Sequence, residues 1–157
     1  NQAAAAALLG YPTFMVGQVG DDSYATMLLS ALKGAGVRGK HIEKVDGPSG
    51  QAVIMLQPSG ENSIIVLGGA NREWDDLPED ALKAIAGAGA VLLQREVPYE
   101  VNLAAAKAAD EAGVTVCLDA GGDAEPLPKE LLKHISILSP NETELARLTG
   151  MDTTSLK

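Results

Sequence analysis

An amide and two carboxylates are concentrated in one short stretch, Ser139-Pro140-Asn141-Glu142-Thr143-Glu144, which directly follows the apolar residues Ile135, Ile137 and Leu138. The apolar residues read as a short buried strand and the polar ones as the opening of a helix. Ser139, with Pro140 at the first helical position and Glu142 three residues on, carries the signature of a capping box, in which side chains satisfy the amides that a helix start leaves without partners. On that assignment the cap is complete without Asn141 and Glu144. Those two lie three apart on one helical face, so an amide and a carboxylate can address the same ligand, as in a metal–phosphate site. A plainer arrangement fits the same spacing: Asn141 caps the helix itself and Glu144 reaches back to it, or Glu144 pairs with Arg147 on the next turn.

The elements that must position this pair alternate from Leu77 onward. The pattern predicts a helix near 78–86, a strand over Ala90–Gln94, a helix from about 99 to 112 and a strand over Val114–Leu118. A short helix near Lys129–Lys133, the strand Ile135–Leu138 and a helix over Asn141–Thr149 continue it. Such βαβ alternation implies a mostly parallel sheet with right-handed crossovers. Ligands of these sheets lie beyond the carboxyl ends of the strands. Glu96 follows the Val91-Leu92-Leu93-Gln94 run and Pro98 blocks simple continuation, so its carboxylate emerges at that edge, as do Asp119 and Asn141 at theirs. For Glu96 an ordinary exposed surface carboxylate is the alternative.

The first half has a different texture. Gln2–Leu9 is nearly all Ala and Leu and is stopped by Gly10, which predicts a helix. Thr13–Val19 is β-rich and runs into Gly17-Gln18-Val19-Gly20-Asp21-Asp22, where an Asp can cap a helix through Met27, Leu28 and Leu32. Gln51–Gln57 and Ser63–Leu67, joined by Pro58-Ser59-Gly60-Glu61-Asn62, predict a hairpin. With a further strand around 42–46, the segment from about 40 to 71 reads as a small sheet apart from the main layers, suited to act as a lid.

Composition removes several alternatives. At 157 residues the chain can bury one respectable core, and its 46% hydrophobic and 21% charged residues are ordinary globular usage. One Trp, three Tyr and one Phe leave the core to aliphatic side chains. A net charge of −9 without any Lys/Arg cluster argues against nucleic acid as a partner, and it requires that an anionic ligand be held by a metal ion or by local backbone amides. The single cysteine, Cys117, lies within an apolar run, and neither His41 nor His134 has metal-ligand spacing to it, so disulfide, zinc and Cys–His chemistries have little support. No apolar segment is long enough to span a membrane, and no Gly-x-x-x-x-Gly-Lys-Ser/Thr loop is present.

Together these residues resemble the ribokinase-like carbohydrate kinases over essentially the whole chain. Pro140-Asn141-Glu142-Thr143-Glu144, followed by Leu148-Thr149-Gly150, resembles that family's Asn-x-x-Glu segment. Asn1-Gln2-Ala3-Ala4 looks like the start of the helix after its Gly-Gly-Lys-Gly turn, the Gly17–Asp22 segment resembles its next landmark, and Gly69-Ala70-Asn71 matches the exit from its lid hairpin. Gln94-Arg95-Glu96-Val97-Pro98 resembles the strand end whose glutamate holds sugar hydroxyls.

The resemblance implies an α/β, Rossmann-like ribokinase fold with a mostly parallel sheet flanked by helices and a small β lid at about 40–71, residues 1–157 being part of that domain. It implies transfer of the ATP γ-phosphate to D-ribose, with Asn1 and Glu96 binding the sugar, Asn141 at the ATP phosphates and Glu144 serving magnesium through water. A monovalent cation such as K+ is a further cofactor the family uses. Fructose, adenosine or another nucleoside as acceptor, or a non-catalytic binding role, are the alternatives. For Asn1, a terminal residue or simple helix cap is the plainer assignment. The family's general-base segment, Gly-Ala-Gly-Asp, is not found here and belongs beyond Lys157, while its Gly-Gly-Lys-Gly turn belongs before Asn1, so no catalytic base is assigned. Asp119-Ala120-Gly121-Gly122-Asp123 departs from the Asn-Pro-containing turn common at that strand end, and Asp119 is a lesser candidate. A homodimer through residues 51–67 and a cytoplasmic location complete the expectations.

Overall fold

The computed structural model describes residues 1–122 and 125–153, which form two compact units, Asn1–Trp74 and Asp75–Lys157. In the first unit, helix α1 (Gln2–Leu8) is followed by strand β1 (Phe14–Val19), helix α2 (Ser23–Gly34) and strand β2 (Arg38–Lys44). β2 pairs with β1 in parallel, with Gly17 opposite Ile42 and Val19 opposite Lys44. Strands β3 (Gln51–Leu56) and β4 (Asn62–Leu67) form a separate antiparallel hairpin, register Gln51 to Leu67 through Leu56 to Asn62. The hairpin was expected from its two apolar runs. The small sheet was expected to reach back to about residue 40, but residues 38–44 belong to β2 and complete a βαβ unit with β1 and α2. The turn at Asp46-Gly47-Pro48 separates them from the hairpin.

The roots of the hairpin are locked by a compact polar network. The Asp22 carboxylate caps α2 by accepting from the Ala25 amide at 2.9 Å, and it also accepts from the Ser49 amide and hydroxyl, both at 2.8 Å. Ser49 Oγ in turn accepts from the Gly20 amide at 3.0 Å, and Ser49 is buried. A methyl group at Gly20 would lie 2.2 Å from the Gly47 carbonyl oxygen, so only glycine permits this approach. On the other root, Ala70 donates to the Pro48 carbonyl at 2.9 Å, and Gly69 has φ +47 in a 3₁₀ turn over Gly69–Arg72. The Gln18 amide, oriented to donate, reaches the Ala70 and Glu73 carbonyls at 2.8 and 2.9 Å. The hydrogen bonds to Asp22, the Ser49 amide foremost, hold its carboxyl below the usual aspartate value.

The second unit alternates helix α3 (Glu79–Ala86), strand β5 (Ala90–Leu93), helix α4 (Tyr99–Glu111), strand β6 (Thr115–Asp119), helix α5 (Lys129–Leu132), strand β7 (Ile137–Ser139) and helix α6 (Glu142–Thr149). β5, β6 and β7 are neighbours in that order and all parallel, with Leu93 opposite Leu118 and Leu118 opposite Leu138. This is the parallel α/β arrangement that the alternation implied. Val116 and Leu118 at the centre of β6 are fully enclosed, each burial contributing about 1.5–3 kcal/mol. α4 packs on β5 and β6 as well as on α3, and its Ala105, Ala106 and Ala109 are buried, small side chains that allow close approach. No helix among the described residues is long and apolar enough to cross a membrane.

Candidate functional site

Three strands of the second unit end at one edge and deliver the candidate side chains. After β5, the buried Asn102 of α4 donates to the Gln94 carbonyl at 2.7 Å, which fixes where the chain leaves the strand. Arg95 and Glu96 follow. Arg95 is buried, and its two terminal nitrogens donate to the carbonyls of Ala120, at 3.4 Å, and Glu125, at 2.7 Å. Glu96 is half-buried, and its Oε2 is shut off from solvent without a hydrogen-bond partner among the described residues.

After β6, Asp119 accepts from the Gly121 amide at 2.9 Å, an Asx turn that bends the backbone over its own strand end. Gly122 follows with φ +83. This glycine pair lies between the other two acids. A methyl group at Gly121 would stand 3.4 Å from Glu144 Oε1, and one at Gly122 would stand 2.7 Å from the Glu96 carboxylate. Glu96, Asp119 and Glu144 therefore surround one glycine turn. Asp123, part of the same segment in the sequence reading, lies outside the described residues.

After β7 the structure corrects the assignment of the cap. Ser139 is the last residue of β7, opposite Asp119, and its carbonyl accepts from the Ala120 amide at 3.2 Å. Strand pairing thus takes Ser139 out of the capping position, and Pro140 precedes the helix instead of opening it. Asn141 is the N-cap: its Oδ1 accepts from the Glu144 amide at 2.8 Å, while Glu144 Oε2 accepts from the Asn141 amide at 2.8 Å. Asn141 Nδ2 also donates to Glu144 Oε1 at 2.9 Å. Asn141 and Glu144 are not surplus to the helix start; they are its capping box. Both remain solvent-accessible, and a carboxylate offers about four lone-pair positions, so Glu144 keeps acceptor capacity after these two bonds.

That donor set suits a hydrated divalent cation better than a stripped one. Among the described residues no group of three or more His, Cys, Asp or Glu side chains is close enough to hold an ion directly. A single accessible carboxylate at such a strand edge fits an ion that keeps most of its water. Asn1, in the first unit, is exposed and stands at the N-cap of α1 without a side-chain capping bond. Sequence reasoning passed over Arg95 and Ser49; the signal for Arg95 was its period-2 relation to the buried Leu93, which puts a guanidinium on the inward side.

The parallel β5-β6-β7 sheet, with polar side chains gathered beyond its carboxyl edge, defines an open-sheet α/β protein. The chain belongs to the pfkB family of carbohydrate kinases, whose family model matches residues 1–157. It is 51% identical over 158 residues to a ribokinase of Arabidopsis thaliana, covering 98% of this chain and 42% of that protein. It is 41% identical over 153 residues to a Bacillus subtilis ribokinase, covering 94% of this chain and 50% of the relative. Its fold superposes with a TM-score of 0.94 on the structure of Arabidopsis thaliana ribokinase complexed with ribose and ATP, at 49% identity over 99% of this chain and 51% of that one. The chain thus spans about half the length of the relatives it matches, or less.

Proposed function

We propose that the protein to which this chain belongs is a sugar kinase that transfers the γ-phosphate of ATP to D-ribose, giving ribose 5-phosphate. The observation that supports this most directly is the convergence of Glu96, the Gly121-Gly122 turn and the Asn141–Glu144 box at one sheet edge, in a chain 51% identical to a ribokinase. Phosphoryl transfer depends mainly on alignment and charge neutralisation. Glu96 and Asn1 bind the sugar hydroxyls, the carboxylate accepting and the amide doing both. Asn141 would contact the phosphate region of ATP, and Glu144 would serve a Mg2+ ion, through water. That ion neutralises phosphate charge when present, and K+ is a further cofactor of the complete enzyme. The capping box holds Glu144 in one orientation, which supports a preset role for its carboxylate.

No Gly-Ala-Gly-Asp base segment occurs within residues 1–157, so these residues alone bind weakly and turn over negligibly. The β3–β4 hairpin carries Val53, Ile54, Met55, Leu56, Ile64, Ile65, Val66 and Leu67, all about half exposed or more. Two strands with apolar side chains on both faces call for cover, and we assign that cover to a second copy of the hairpin, which also acts as a lid. A cytoplasmic location is part of the same proposal. The deciding experiment measures ADP production by the natural-length protein with ribose, fructose and adenosine as acceptors. Preference for ribose is expected; preference for either rival, or no acceptor-dependent turnover at all, overturns the assignment.

A further inference from the structure

We infer that the turn Ala120-Gly121-Gly122 after β6 is a positioning element that sets where the Glu96 carboxylate stands, with Gly122 as its contact and Arg95 as its brace; the inference rests on the proposed role of Glu96 in binding the acceptor. The backbone at Gly122 occupies the space beside that carboxylate so closely that an added methyl group would meet its carbon and one oxygen at 2.7 Å and the other oxygen at 3.0 Å. Ordinary contacts begin at 3.4 Å, so a side chain here would force the acid to withdraw by about 0.7 Å. The carboxylate is therefore backed by main chain on that side, and its Oε2 is sealed from water with no described partner to orient it.

The backing is itself fixed. Arg95, the residue immediately before Glu96, bonds the carbonyls of Ala120 and Glu125, on either side of the glycine pair, while Asp119 ties down the Gly121 amide. A planar guanidinium serves two carbonyls at once, which a lysine ammonium on a flexible stem does not reproduce. The residues that touch the acid and the residues that hold them are thus one unit, anchored at the ends of β5 and β6. Gly121 faces Glu144 at an ordinary distance, so the constraint acts on the acceptor end of the site and leaves the nucleotide end free.

The test uses steady-state kinetics and thermal unfolding of the natural-length protein and of Gly122→Ala, Arg95→Lys, Glu96→Asp and the double variant Gly122→Ala/Glu96→Asp. Gly122→Ala is expected to raise the ribose KM by about tenfold or more, given how steeply positioning errors are penalised, with the ATP KM within about twofold. Arg95→Lys, which introduces no backbone strain, is expected to move the ribose KM in the same direction and to decide the matter should Gly122→Ala not fold. Shortening the acid relieves the clash, so the double variant should bind ribose better than the two separate losses predict. Equal rises in both KM values, a fall in Tm with kinetics unchanged, or strict additivity in the double variant each overturn the inference. Absence of ribose phosphorylation by the unmodified protein instead refutes the functional assignment on which it rests.

Discussion

Replacing Glu144 by alanine separates the capping role of its carboxylate from its proposed role toward magnesium by magnitude. Structurally the substitution removes the bonds from the Asn141 amide at 2.8 Å and from Asn141 Nδ2 at 2.9 Å, while Asn141 Oδ1 still caps the Glu144 amide. Losing half of an exposed box and one negative charge at a helix start costs about 1–2 kcal/mol. For a chain of this size or larger that lowers Tm by no more than about 2–4 °C per kcal/mol. It has almost no effect on ligand affinity at 25 °C, where the molecule stays folded. Loss of a carboxylate that holds metal-bound water removes a charge-assisted contact of about 1.5–3 kcal/mol, or roughly 10- to 100-fold in affinity. Calorimetric titration of the natural-length protein with ATP, in the presence and absence of Mg2+, reads the difference. The Mg2+-dependent gain in ATP affinity should collapse while metal-free binding changes little. A lower Tm with Mg2+-dependent affinity kept within about twofold would show Glu144 to be a cap and nothing more.

Three other outcomes follow from the first unit. The carboxyl of Asp22 is held below its unfolded value of 3.8, so its contribution to stability is complete above that value and is lost as pH falls through the lower folded value. Thermal melts from pH 5 downward should therefore decline less steeply in Asp22→Asn, which starts from a lower Tm, than in the unmodified protein; parallel curves would contradict the network's role. Gly20→Ala must displace the Gly47 carbonyl from 2.2 Å, an overpacking cost of about 1–3 kcal/mol visible as a lower urea midpoint, and an unchanged midpoint would mean that the turn yields freely. Val66→Lys places a charge on the exposed ribbon and should convert the natural-length protein from dimer to monomer by light scattering; a monomeric unmodified protein at micromolar concentration would remove the assigned cover.

Much of the second unit was legible in sequence because alternation of apolar strands with alanine-rich helices leaves few other folds. Boundaries were read to within a residue or two, and the shift that mattered was at β7, expected over Ile135–Leu138 and found over Ile137–Ser139. There Ser139, read as the cap, is taken up by the sheet and pairs with Asp119, while Ser136 Oγ accepts from the Val116 amide at 3.0 Å. Long-range pairing overrode the local signal and moved the cap two residues along. The candidates Glu96, Asp119 and Asn141 were correctly placed at strand ends, since that follows from topology alone. Their mutual approach around Gly121 and Gly122 was not legible, because it depends on how the buried guanidinium of Arg95 gathers the carbonyls of a neighbouring loop. Likewise an aspartate of the Asp21-Asp22 pair was expected to cap α2, and it is Asp22, but its partnership with Ser49 spans 27 residues and leaves no local trace.

The hairpin is joined to its unit at one end only, through the crowded backbone around Gly20, Ser49 and Gly69. Each six-residue strand extends about 20 Å from that fulcrum. The ribbon is consequently a lever with a short, stiff pivot: a tilt of about 10° at the pivot carries the tip near Ser59-Gly60 through about 3 Å. Residues buried at the pivot thereby govern the reach of a surface they do not touch.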